Sequence, residues 1–230
     1  MENLLREYME RAFADRGTVH HTGPGPVVTI SREYGCPSKL LAQRLTDLLN
    51  KHNGSEKPGV WRYINKEVVE TTAHRLELNP TEVNYFMSAG NKGLIEDVLA
   101  SFSPTYVSNI RMRKTITDVV RTIALQGHVV IVGRGGAGIL RNHANTLHIR
   151  LQAPRDWRIS QVCSSNGLPH AEASRLVDEM DKKRAALIEM MTGEKFHPTL
   201  FDVTFNCSSL SLEEIAATIA GLIETKKMTG

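Results

Sequence analysis

"VVTISREYGCPSKLLAQRLTDLL", residues 27–49, passes from an unbroken apolar run, through a turn at Gly35, into a segment with leucines at helical spacing. An apolar run without alternation is the mark of a strand covered on both faces, as in a parallel sheet. Parallel strands need crossover connections, and the leucine-rich segment supplies the first helix of one. A buried strand that turns into a helix is also where many α/β proteins hold phosphate, on the free N–H groups of the helix N-terminus. The phosphate-loop signature G-x-x-x-x-G-K-[ST] is present only at its lysine: with Lys39 in that place, the glycines become Glu33 and Ser38, and the Ser/Thr becomes Leu40. Pro37 brings no N–H.

Four further runs read as strands after 27–31: residues 61–64, 128–133, 146–151 and 201–206. Helical patterns alternate with them, over 39–52, over 111–126, and from Ser211, which has the capping-box spacing to Glu214. This alternation predicts an α/β fold, a five-stranded parallel sheet flanked by helices in three layers. The span from about 66 to 110 has helical character, with Asn79 and Pro80 placed to start a helix, and reads as an insertion over the C-terminal edge of the sheet. Residues 1–25 read as an amphipathic helix and a Gly/Pro linker ahead of a domain over 26–230. The apolar face of that helix packs either on the core or on a second copy of the chain, and the adjacent His20 and His21 read as solvated loop residues.

Three basic clusters stand after strands or in the helices that follow them. "VGRGGAG", residues 132–138, projects Arg134 from a glycine turn, with Gly133 and Gly135 beside it. "APRDWRI" brings Arg155 and Arg158 about one helical turn apart, and "DKKR" adds Lys182, Lys183 and Arg184. Each cluster alone suits a solvated surface. Together they suit phosphoryl transfer, whose catalysis is mostly positioning and charge neutralisation.

"ISREYG", "IVGRGGAGIL", "LHIRLQAPRDWRI", "DEMDKKR" and "FDVTFNCSSLSLEEI" jointly resemble the cytidylate kinase-like family of P-loop proteins, from about residue 27 to 225. The resemblance implies a nucleoside monophosphate kinase fold with an acceptor-binding insertion and a lid over about 155–195. It implies ATP with Mg²⁺ as donor and a CMP-like monophosphate as acceptor. Carried over by position, Gly35, Cys36, Ser38 and Lys39 meet the ATP phosphates, and Arg134, with Gly133 and Gly135, meets the acceptor. Arg155, Arg158, Lys182, Lys183 and Arg184 form the lid, with Lys39, Arg158 and Arg184 the catalytic cations and no metal ligand from the protein. Leu40, the depleted glycines and Gly135 where the family has an aspartate leave open a non-catalytic module that binds nucleotide or protein.

Composition narrows the partners. A net charge of +3 and only 6% aromatic residues, without a basic–aromatic run, argue against nucleic acid. No apolar run approaches the roughly 18 residues of a membrane span. Cys36, Cys163 and Cys207 have no metal-type spacing and read as free thiols, which with the acidic first residues points to a cytoplasmic protein.

Overall fold

The apolar run forms β1 (Val27–Arg32), the central strand of a sheet in the order β2-β3-β1-β4-β5, parallel throughout. A computed structural model describes residues 25–52, 61–64 and 110–228. The opening helix, the Asn79–Pro80 helix start and the insertion up to residue 109 lie outside the described residues. In chain order, α1 (Ser38–His52), β2 (Arg62–Ile64) and α2 (Ile110–Gln126) follow β1. Next come β3 (Val129–Val132), the single turn α3 (Gly136–Ile139) and β4 (Thr146–Gln152). The helical hairpin α4 (Arg155–Asn166) and α5 (His170–Thr192), then β5 (Val203–Asn206) and α6 (Leu212–Thr225), complete the chain.

Strand alternation builds two cores from one sheet. Val28 and Ile30 of β1, with Val130 and Val132 of β3, face α1 and α6, where Leu41, Leu45, Ile215 and Ile219 are buried. Val27, Val129 and Ile131 point the other way, onto Ile116, Val119, Val120 and Ile123 of α2. This is the three-layer arrangement that the unbroken apolar runs require. Successive side chains on α1 sort as its period demands: Leu41, Ala42, Leu45 and Leu49 are buried, while Leu40 stands 44% exposed beside Lys39.

The hairpin has a core of its own, made by Ile159 and Val162 of α4 with Ala173, Leu176, Val177 and Met180 of α5. Tyr34, from the turn after β1, packs against it. Phe201 and Asp202 precede β5 rather than belonging to it. Phe201 packs on Ala137 and Ile188, and the Asp202 carboxylate accepts the His148 N–H at 2.7 Å.

At α6 the capping box forms as its spacing predicts: the Glu214 N–H donates to Ser211 Oγ at 3.3 Å, and the Ser211 N–H to Glu214 Oε2 at 2.8 Å. Ser211→Ala is therefore expected to cost about 1 kcal/mol, and Leu45→Ala, at a fully buried position, about 2–5 kcal/mol. Urea unfolding of the two variants checks the order.

Candidate functional site

A cleft of about 210 Å³ opens at the C-terminal ends of β1, β3 and β4, under α5. Open α/β sheets bind ligands at this edge, where strands on either side of the central one part. Four arginines line it, Arg32, Arg134, Arg150 and Arg184, together with Glu33 and Asp181.

The turn after β3 brings two of these cations together. Gly133, Arg134 and Gly135 all have left-handed backbone, with φ of 77°, 54° and 66°. This tight turn directs the Arg134 side chain back into the protein, where it is only 6% exposed. At Gly133 a Cβ would overlap an Arg32 guanidinium nitrogen, so glycine is what lets Arg32 lie across the turn. Burial pulls the Arg134 guanidinium down to about 9. Burial first, then the neighbouring Arg134 charge, pulls Arg32 down to about 10. Arg184 is also well below its ordinary value, from burial and then from Arg32. Its Nη1 donates to the Arg32 carbonyl at 3.2 Å, and its guanidinium carbon lies 5.1 Å from the Tyr34 ring centroid. The Arg184 Nε is buried, with no hydrogen-bond partner among the described residues. Buried cations packed side by side are stabilised when an anion enters among them.

Arg150 serves differently. It stacks near Phe196 and Phe201, 4.6 and 5.5 Å from their ring centroids, and its Nη2 reaches Glu33 Oε1 at 3.3 Å.

Arg158 ties the turn after β1 to the hairpin. Its Nη1 meets Asp181 Oδ2 at 2.6 Å and the Tyr34 carbonyl at 3.1 Å. Its Nε donates to the Ala153 carbonyl at 3.0 Å and lies 3.3 Å from Glu33 Oε2. The other Asp181 oxygen accepts the Tyr34 N–H at 2.7 Å. Gly35, at φ 94°, lies so close to Arg158 that a Cβ there would sit 2.8 Å from its carbonyl oxygen. The amides of the turn are thus largely engaged within the protein. Beyond Tyr34, the Cys36 N–H donates to the Glu33 carbonyl and the Ser38 N–H to the Cys36 carbonyl, at 3.2 and 2.9 Å.

The residues singled out by sequence therefore fall into separate places. Arg134, Gly133, Gly135 and Arg184 meet around the cleft. Gly35, Cys36, Ser38 and Lys39 belong to the turn and the start of α1, outside the cleft lining, and Lys39 is exposed. Arg155 is exposed and clamps the hairpin, 2.6 Å from Asp178 and 2.7 Å from Ser174 Oγ. Lys183 pairs with Glu179 at 2.7 Å, and Lys182 is exposed. Sequence reading passed over Arg32, Arg150, Glu33 and Asp181. Arg32 did carry a signal, as the first charge after a buried strand. Asp181, beside the Lys182–Arg184 cluster, carried none.

Several known proteins are similar to this chain. A family model described as the cytidylate kinase-like family matches residues 27–209. An uncharacterized protein from Eubacterium ventriosum ATCC 27560 aligns over 87% of this chain and 99% of its own, with a TM-score of 0.61 and 19% identity. Shikimate kinase from Acinetobacter baumannii, in complex with shikimate, aligns over 95% and 98%, with a TM-score of 0.51 and 12% identity. Shikimate kinase from Bacteroides thetaiotaomicron aligns over 86% and 98%, with a TM-score of 0.50 and 13% identity. The fold is that of the P-loop kinases. A curated uronate isomerase of Corynebacterium glutamicum is 26% identical over 143 residues, 60% of this chain and 27% of that protein, so the chain spans about a quarter of that relative's length.

Gly35→Ala is expected to cost about 1–3 kcal/mol, because it forces a side chain into left-handed backbone against Arg158. Asp181→Ala is expected to cost about 3 kcal/mol or more, because it strips a partner from a buried guanidinium. Thermal unfolding of both variants checks this, and an Asp181→Ala protein as stable as the parent would show that Glu33 and the Ala153 and Tyr34 carbonyls suffice to hold Arg158.

Proposed function

This chain belongs to the cytidylate kinase-like family, and on that premise we propose that its arginine-lined cleft holds the phosphates of a nucleotide for phosphoryl transfer. The observation that carries the reading is the convergence of Arg32, Arg134 and Arg184 on one cleft, each with its basicity lowered by burial. Arginine suits the task, since its planar fork grips two phosphate oxygens at once.

The reaction we propose is that of a nucleoside monophosphate kinase, with ATP as donor and a CMP-like monophosphate as acceptor. An acceptor phosphate oxygen forms a bond to the γ-phosphorus in line with the bond that breaks, to the β,γ-bridging oxygen. The electron pair leaves with ADP, and no general base is needed because the attacking oxygen is already an anion. In this reading Arg134 holds the acceptor phosphate, and Arg184 and Arg32 neutralise charge on the transferring group. Lys39 is the cation at the donor side, on the exposed start of α1. Among the described residues, no group of three His, Cys, Asp or Glu side chains is placed to hold a metal. Mg²⁺ would enter on the nucleotide's own phosphate oxygens.

A second reading, a nucleotide-binding module without catalysis, is favoured by one observation. The turn at the phosphate-loop position keeps the Tyr34, Cys36 and Ser38 amides for protein acceptors, and Pro37 has none to offer. A donor nucleotide would have to displace Asp181 from Tyr34 to use that turn.

The test is a calorimetric titration with ATP, with and without Mg²⁺, followed by turnover with CMP. Phosphotransfer predicts ATP binding that strengthens with Mg²⁺, and formation of ADP. Lys39→Ala and Arg134→Ala should each reduce turnover on the order of 10²-fold, with Arg184→Gln as a further variant should Arg134→Ala unfold. Binding without turnover would establish the second reading. Full turnover in the folded variants would remove these cations from the site.

A further inference from the structure

Cys36 and Cys207 are far apart in sequence and meet in the folded chain. Cys36 lies in the turn between β1 and α1, and Cys207 directly follows β5. The two strands are not neighbours, because β4 runs between them. The chain leaving each strand is fastened to the end of β4: the Glu33 N–H donates to the Leu151 carbonyl at 3.0 Å, and the Cys207 N–H to the Gln152 carbonyl at 2.8 Å. Both turns thus lean over the same strand end, and the two side chains join one buried cluster, each 8% exposed. Both are free thiols, and each lies near enough to the other to perturb its acidity. A buried cysteine is ordinarily only a small apolar residue. Two thiols buried in one cluster, on turns fastened to the same strand end, are placed where a disulfide would join those turns.

We propose that Cys36 and Cys207 form a redox-active pair, which a hydroperoxide converts to a disulfide that ties the turn before α1 to the turn after β5. Either thiolate can open the reaction, with the same disulfide as product. From Cys207, the thiolate sulfur attacks a peroxide oxygen, the O–O bond breaks, and Cys207 becomes a sulfenic acid with release of water (an alcohol from an organic hydroperoxide). The Cys36 sulfur then attacks the Cys207 sulfur, the S–O bond breaks, and a second water leaves with the Cys36 proton. Two electrons pass from the thiols to the peroxide. The disulfide would hold the turn at the phosphate-loop position in the form seen here, with its amides engaged within the protein. The inference stands on the thiols alone, whatever the cleft binds.

The test uses the full-length protein under native conditions, treated with hydrogen peroxide and mapped by mass spectrometry without reduction. The expected result is the loss of two hydrogens from the intact mass, reversed by dithiothreitol, and a crosslinked peptide pair containing Cys36 and Cys207. Cys163, partly exposed on α4, is the internal control: Cys163→Ser keeps the crosslink, and Cys207→Ser loses it. The oxidised protein should melt on the order of 5 °C or more higher. Both thiols remaining free after peroxide treatment of the folded wild type would overturn the proposal. So would oxidation of Cys207 to the sulfinic acid without a crosslink, or a crosslink that runs through Cys163. These readings are made on wild type and do not depend on any variant folding.

Discussion

The Arg158 guanidinium is the point at which separate parts of the molecule are joined. It is carried by α4, and it bonds Asp181 of α5, the carbonyls of Tyr34 and Ala153, and the Glu33 carboxylate. A buried cation is costly unless its donors are met by acceptors around it. Here the requirement fixes the shape of the turn after β1, since the carbonyl of Tyr34 faces the guanidinium and its N–H faces Asp181. It also draws the hairpin down onto the sheet edge, with Tyr34 packed into the hairpin's own core.

That arrangement sorts the cations of the cleft. Arg158 and Arg150 answer the two carboxylates of the cleft, Asp181 and Glu33. Arg32, Arg134 and Arg184 crowd together in the cleft; burial lowers the basicity of all three, and a neighbouring arginine lowers that of Arg32 and Arg184 further. Such a cluster is held in place by the fold at a cost that an incoming phosphate would offset. The left-handed turn at 133–135 and the missing side chain of Gly133 make the crowding geometrically possible.

The turn and the cleft make opposite demands on a nucleotide. The cleft presents guanidinium groups, whereas the turn has given most of its amides to protein acceptors. Reconciling them requires the Asp181–Tyr34 bond to open, and Asp181 sits on the same helix as Arg184. Movement of that helix would therefore alter the turn and the cation cluster together.

The sheet is legible in the chain alone, because unbroken apolar runs such as "VVTI" and "VVIV" suit strands buried on both faces, and their alternation with helical periods leaves a parallel order. The α6 cap is legible there too, since the Ser211–Glu214 box is local chemistry four residues long. Arg134 was legible from its glycine setting, and Arg184 only as one member of a basic cluster. Which cations face the cleft was decided by tertiary structure alone. Arg155, Arg158 and Arg184 look alike in sequence, yet one clamps the hairpin surface, one is consumed in a buried network and one reaches the cleft. The difference lies in carboxylates and carbonyls contributed by distant segments. A partner 23 residues away, as Asp178 and Asp181 are from Arg155 and Arg158, leaves no periodic signal in the chain. The meeting of Cys36 with Cys207 has the same origin, since only the order of strands brings their turns over the end of β4.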